Sequence, residues 1–255
     1  MSRSLSQEES SALLRQQALD DRLSPQPGAK LYLHLSDLRL ALGKVATDTP
    51  LRLLDFGCGG SPYRALFPRA DYQRADLAGM SEVDFIIEPG KPLAAPDASF
   101  DVVLSTQVFE HVEDPAAYLR ECQRLLKPGG KLVLSTHGTF PDHGAPWDFQ
   151  RWTPHGLARD LKTAGFEIDI IWRLTSGPRA VLQLWELNME RLRCDHGTFG
   201  FLFRALRWIT RRQRTRFHSW ADQRLGDYRL ADGADDPAHR LYLGLMIVAT
   251  NKLPS

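Results

Sequence analysis

Two acids and a run of glycines could together hold a small ligand that carries a positive charge and a sugar. Asp55 lies near the end of the apolar run Leu51–Phe56, and Gly57-Cys58-Gly59-Gly60-Ser61-Pro62-Tyr63 follows it. Glycines let the backbone turn tightly and let a ligand approach without Cβ clashes. Asp76 stands at the end of the next apolar run, about 20 residues on, where an acid can accept both hydroxyls of a ribose. A dinucleotide site would need a third glycine, but the register here is Gly57-x-Gly59-x-x-Pro62. Asp55 would also repel a pyrophosphate and attract an amino group. S-adenosylmethionine carries an amino group and a ribose and has no phosphate.

A second set of polar residues follows two later strands. Gln107, Glu110 and His111 come first, then His137, His143, Asp148, Arg151 and His155. Methyl transfer from a sulfonium is an in-line displacement, so donor and nucleophile must be held close and water excluded. A base helps when the nucleophile is a hydroxyl or a protonated amine. Trp147, Phe149 and Trp152 add aromatic faces that suit sugar rings or planar substrates. The competing reading makes these aromatics core, Asp148–Arg151 a structural ion pair, and Glu110 and His111 supports of a strand-to-helix turn. His143 is the leading base candidate, with His111 and Asp148 as the other catalytic candidates.

Short apolar runs alternating with helical patterns must position these groups. Strands are expected at Leu51–Phe56, Tyr72–Leu77, Val83–Glu88, Phe100–Thr106, Lys131–Thr136, Phe166–Leu174 and Leu241–Thr250. Ser61 and Pro62 can cap and open a helix after the glycines. Asp114-Pro115 and Thr153-Pro154 repeat the cap-then-proline signal. The pattern predicts an α/β fold: a Rossmann-like, doubly wound, seven-stranded, mostly parallel sheet with a helical insertion before the last strand. The divisions are an N-terminal helical segment (1–46), a cofactor-binding core (47–177), a helical insertion or lid (178–239), and the last strand and C-terminus (240–255).

The bulk numbers exclude several classes. A net charge of +1 gives no global field for nucleic acid. Cys58, Cys122 and Cys194 have no metal-type spacing and read as reduced thiols. Met1–Asp20 lacks the apolar core of a secretory signal, and no apolar run is long enough to span a bilayer. The expected location is the cytoplasm. Residues 199–220 combine arginines with aromatics and contain no acid. They read as a lid over the acceptor or as a peripheral contact with the inner face of the membrane. Nucleic acid is a poorer fit, since the rest of the chain adds no basic footprint.

From Leu51 to Phe166 the chain resembles the type 11 branch of class I S-adenosylmethionine-dependent methyltransferases. The matching blocks are Leu54–Gly59, Pro96–Val103, Phe109–Pro115 and Leu125–Leu132. The resemblance implies that Asp55 reads the methionine amino group and Asp76 the ribose, with Gly57 and Gly59 lining the cofactor. The full expected set is Asp55, Gly57, Cys58, Gly59, Asp76, Leu77, Glu88, Thr106 and Gln107. Glu110-His111 is similar to a pair in ubiquinone-pathway methyltransferases, where a preceding acid completes a metal site. Gln107 occupies that acid position here, so no metal is expected. His143–Pro154 resembles a segment of methyltransferases encoded with glycan-assembly enzymes, which implies a small-molecule, sugar or lipid-linked glycan acceptor. A nicotinamide-dependent oxidoreductase and a non-catalytic binding module are the alternatives. The missing third glycine argues against the first, and the intact acids and glycines against the second.

Overall fold

The computed structural model describes residues 7–79, 82–191, 197–232 and 236–252. Cys194 lies outside them. Two helices, α1 (Gln7–Leu23) and α2 (Tyr32–Val45), precede the sheet. Then come β1 (Arg52–Phe56), β2 (Asp71–Leu77), β3 (Phe85–Ile87), β4 (Phe100–Thr106), α3 (Pro115–Leu125) and β5 (Leu126–His137). The rest is α4 (Pro154–Thr163), β6 (Phe166–Ser176), α5 (Gly177–Arg191), α6 (Gly197–Arg224), β7 (Leu230–Asp232) and β8 (Tyr242–Asn251).

Eight strands form one sheet in the order β3-β2-β1-β4-β5-β8-β6-β7. The first five run parallel, while β8 pairs antiparallel with both β5 and β6. The α/β, mostly parallel architecture is as the sequence predicts. The additional strand is β7, three residues paired to the end of β6. It is too short to carry a periodic signal.

Alternation along each strand sends neighbours to opposite faces. Leu54, Val103, Leu132, Leu134 and Ile247 pack against Leu119, Cys122 and Leu125 of α3 and Leu157 and Leu161 of α4. Leu53, Leu104, Val133 and Met246 pack on the other face against Leu38, Ala41 and Leu42 of α2. Both expected caps form: Asp114 accepts from Ala117 N and Thr153 from Gly156 N.

The helix expected after the glycine turn is absent. Ser61 has φ +52°, not the extended backbone of a cap, and the chain makes only a short 3-10 turn at Arg64–Leu66. Pro62 and Pro68 leave little room between them, and Tyr63 and Phe67 are drawn under α2. Strand three is also shorter than the apolar run. Asp84 turns its carboxylate onto Arg74 N (2.8 Å), and pairing begins at Phe85.

Candidate active site

The strand order reverses between β1 and β4, so the loops after these strands part and leave a crevice at the carboxyl edge of the sheet. The glycine turn occupies one side. Gly57 N and Cys58 N both donate to Ala75 O, at 2.8 and 3.1 Å, tying the turn to β2. Gly57 has φ +84°, and a Cβ there would lie 2.5 Å from a methyl of Val108 in the loop after β4. Gly59 has φ +54° and faces open space, the kind of cradle a side chain would fill. Leu19 of α1 lies over Gly60.

Asp55 and Asp76 stand beside this turn. Asp76 Oδ2 accepts from Gly59 N (2.7 Å) and Oδ1 from Leu77 N (2.8 Å), which fixes the carboxylate at the end of β2. Each oxygen keeps a lone pair for a ribose hydroxyl. Asp55 is buried. Tyr72 donates to its Oδ2 at 2.6 Å, while Oδ1 has no hydrogen-bond partner. Burial, opposed by Tyr72 and reinforced by Asp76, pushes the Asp55 carboxyl up to about 7. A buried carboxyl with an orphaned oxygen suits an incoming ammonium. These residues fit S-adenosylmethionine: Asp55 could meet the amino group and Asp76 the ribose, and Gly59 leaves space where a Cβ would obstruct.

A pH dependence follows. The carboxyl is protonated in the folded chain and ionised in the unfolded chain between about pH 4 and 7, so folding loses stability as pH rises through that window. The ligand's ammonium reverses this by pairing with the ionised form. Affinity for S-adenosylmethionine should therefore strengthen from about pH 5 to about pH 7, by up to about tenfold per unit. Asp55→Ala should weaken binding at pH 7 by roughly 10- to 100-fold, the equivalent of about 1.5–3 kcal/mol for a charged hydrogen bond, and flatten that slope. Calorimetry across the range checks both.

The remaining expected cofactor residues differ in setting. Cys58 is buried with Sγ 3.8 Å from Asp76 Oδ2, and Leu77 is exposed at the end of β2. Thr106 ends β4 half-buried. Gln107 has φ +55° and donates its N–H to Ser135 O at 3.0 Å. Glu88, at the end of the edge strand, is exposed and paired with Lys91 at 2.5 Å.

Across the crevice the fold gathers imidazoles. Glu110 is fully buried in the 3-10 turn Phe109–His111, where Thr136 donates to its Oε2 at 2.9 Å. His137 ends β5, its ring stacked on Phe140 at 4.0 Å, with Nε2 3.1 Å from Glu110 Oε1. The loop after β5 folds back over them. Phe149 N donates to Glu110 O (3.0 Å), Trp152 N to His137 O (3.1 Å), and His111 Nδ1 lies 2.5 Å from Trp147 O. These ties bring the His143 ring 4.9 Å from His137 and 4.8 Å from His111. Asp148 accepts two bonds from Arg151 (2.6 and 2.7 Å) and one from His143 N (2.9 Å), which hold it well below the usual carboxylate range. Its Oδ2 is 3.5 Å from His143 Nδ1. Burial lowers His143 despite Asp148, and lowers His137 further, so both imidazoles are neutral near pH 7.

The two readings of the aromatic loop divide residue by residue. Trp152 is core, stacked on Phe109 at 4.4 Å, and Asp148–Arg151 is an ion pair. Trp147 (63%) and Phe149 (42%) are exposed at the surface. His155 is exposed on the first turn of α4, apart from the other histidines. Sequence reasoning missed two partners. His34 of α2, buried, lies 2.6 Å from Gln107 Nε2 and 5.4 Å, ring to ring, from His137. It sits in an apolar helical stripe, where it reads as a core residue. Tyr72, which anchors Asp55, reads only as the start of a strand.

A family model described as a methyltransferase domain matches residues 29–170. The chain is 40% identical over 127 residues to a ubiquinone biosynthesis O-methyltransferase of Cereibacter sphaeroides, covering 42% of this chain and 51% of that protein. It is 37% identical over 142 residues to the enzyme of the same name from Xanthomonas oryzae, covering 49% and 59%. The chain thus spans about half the length of the curated relatives it matches. Among solved structures, a methyltransferase from Thermotoga maritima superposes with TM-score 0.56 at 15% identity, over 94% of this chain and 97% of that one. Phosphoethanolamine N-methyltransferase 2 of Haemonchus contortus, in complex with S-adenosylmethionine, superposes with TM-score 0.51 at 19% identity, over 97% and 58%. The cyclase SpnF does so with TM-score 0.53 at 17% identity, so the fold by itself does not dictate the reaction. The family match, the fold and the paired acids at the glycine turn agree: the chain belongs to the class I S-adenosylmethionine-dependent methyltransferases.

Proposed function

We propose that the chain methylates an oxygen of a small-molecule acceptor bound between the glycine turn and the loop after β5. The observation that carries this is the neutral, partly exposed His143 imidazole beside Asp148 on the loop after β5, at the same carboxyl edge of the sheet as the glycine turn. When bound, S-adenosylmethionine supplies an electrophilic methyl group on a sulfonium. Asp55 and Asp76 hold its amino and ribose ends, and His143 takes the acceptor hydroxyl proton as the oxygen attacks in line. Trp147 and Phe149 offer apolar faces for a planar or sugar ring. Two acceptor classes follow: ubiquinone precursors, by likeness to the ubiquinone biosynthesis O-methyltransferases, and sugars or lipid-linked glycans, by the aromatic loop. Incubation with S-adenosylmethionine and panels of both classes, read by mass spectrometry, should show one added methyl on oxygen in one class. A methyl found only on nitrogen or carbon would overturn the O-methylation reading.

A second reading concerns α6. Phe201, Leu202, Trp208 and Ile209 are exposed and recur one heptad apart, so they share a helix face, and Arg212 lies 5.7 Å from the Trp208 ring. No helix among the described residues is long and apolar enough to cross a membrane. An amphipathic basic helix can instead lie in the headgroup layer. Anionic vesicles should sediment the protein at low salt and neutral vesicles should not, each basic residue contributing roughly 1 kcal/mol. Changing the exposed Arg211, Arg212 and Arg216 to Gln should release it without altering the affinity for S-adenosylmethionine. A wild-type protein that stays in the supernatant with anionic vesicles would overturn the membrane reading.

A further inference from the structure

The geometry points to a divalent-cation site formed by Glu110, His137 and His143. Each offers one ligand atom, and these atoms lie within 4.8 Å of one another. Glu110 is fully buried, and its Oε1 has no hydrogen-bond partner although Thr136 fixes Oε2. His137 is 3% exposed, with Nε2 3.1 Å from Glu110 Oε1, and His143 completes the group. Buried polar atoms are nearly always satisfied, so a buried carboxylate oxygen without a hydrogen-bond partner, beside two imidazoles, signals a bound cation. A cation bound there would satisfy Glu110 directly and give the imidazoles a common partner.

The donor set selects the ion. Two imidazoles and one carboxylate suit zinc and its first-row neighbours, whereas calcium and magnesium favour all-oxygen shells. Tetrahedral zinc with bonds of about 2.0–2.1 Å places its ligands on the order of 3.3 Å apart. Glu110 Oε1 and His137 Nε2 already stand 3.1 Å apart. His143, partly exposed on the loop after β5, is the ligand with room to close the remaining gap. Asp148, 3.5 Å from its Nδ1, supplies the carboxylate that commonly orients a metal-bound histidine. Gln107 and His111 are engaged elsewhere, with His34 and the Trp147 carbonyl. The site is therefore distinct from the Gln107–Glu110–His111 arrangement that the sequence argues against.

Three protein ligands leave a coordination position open, and an acceptor oxygen could fill it. That use rests on the O-methylation proposed above and would make His143 a ligand instead of the proton acceptor; the binding itself does not depend on it. The test is titration of chelator-stripped protein with Co2+, followed by its visible absorption, and then displacement by Zn2+. Wild type should take up one ion per chain and develop the intense band of a tetrahedral Co2+ site. His137→Ala and His143→Ala should each weaken binding by roughly 100-fold or more, above the 10- to 100-fold typical of outer-shell changes, and His111→Ala should bind as wild type does. S-adenosylmethionine affinity measured on the same samples reports whether each variant is folded. Absence of Co2+ or Zn2+ binding in wild type that still binds S-adenosylmethionine would overturn the site and leave the methyltransferase reading intact. Binding that His111→Ala abolishes and His137→Ala spares would also overturn it.

Discussion

Replacement of His143 by alanine should slow methyl transfer by about 10²–10⁴-fold, the usual range for removal of a positioned base, while the dissociation constant of S-adenosylmethionine stays unchanged. The separation of effects follows from the architecture. His143 hangs from the loop after β5 and touches His137, His111, Phe140 and Asp148. The residues proposed to hold the cofactor belong to β1, β2 and the turn between them. Single-turnover kinetics with an identified acceptor, beside calorimetry, would check both halves. Added imidazole should restore part of the rate by entering the vacated space. Turnover equal to wild type would remove His143 from the chemistry and leave proximity as the source of rate.

Asp37→Ala should cost about 3–5 kcal/mol of stability, the range for stripping a buried ion pair of one partner. Asp37 and Arg179 are both fully buried. Asp37 Oδ2 accepts from Arg179 Nε (2.8 Å) and Thr175 Oγ1 (2.8 Å), and its Oδ1 from Arg179 Nη2 (3.0 Å) and Arg229 Nε (2.7 Å). Arg179 Nη2 also donates to Asp222 of α6 (2.8 Å). One carboxylate thus joins α2 to α5, β6 and the segment before β7. Without it a guanidinium remains in the interior with only Asp222 as counter-charge. Urea unfolding monitored by far-UV dichroism should show the midpoint fall with the slope nearly unchanged. A loss below about 1 kcal/mol would mean that water or rearrangement satisfies Arg179.

What could be read from residues alone was local. The Asp55–Gly59 turn and the Asp114 and Thr153 caps depend on neighbours in sequence, and all three form. The Ser61–Pro62 helix start fails because its backbone answers to α2 and the second proline, which no local pattern weighs. The aromatic loop was ambiguous for a similar reason. Trp147, Phe149 and Trp152 are alike as residue types, and tertiary contacts distinguish them: Trp152 stacks on Phe109 and donates Nε1 to Asp160, while Trp147 and Phe149 stay exposed. The imidazole group was the least legible part. His34, Glu110 and the His137–His143 stretch come from α2, the loop after β4, and the end of β5 with its following loop, and the sheet and the folded-back loop together assemble them.

The placement of β8 has a consequence for biosynthesis. Lys131 pairs with Thr250, and Phe166 with Asn251, so β8 fills the slot between β5 and β6. While the chain is still emerging from the ribosome, β1 to β5 can assemble by parallel crossovers, but β5 keeps an unpaired edge and β6 has no neighbour on that side. An exposed edge of this kind is a template for wrong pairing. It is covered only when residues 242–251 arrive, after α5 and α6 have been made. Nascent chains halted before β8 should therefore stay protease-sensitive from β6 onward and prone to self-association, whereas release of β8 should close the sheet in one cooperative step.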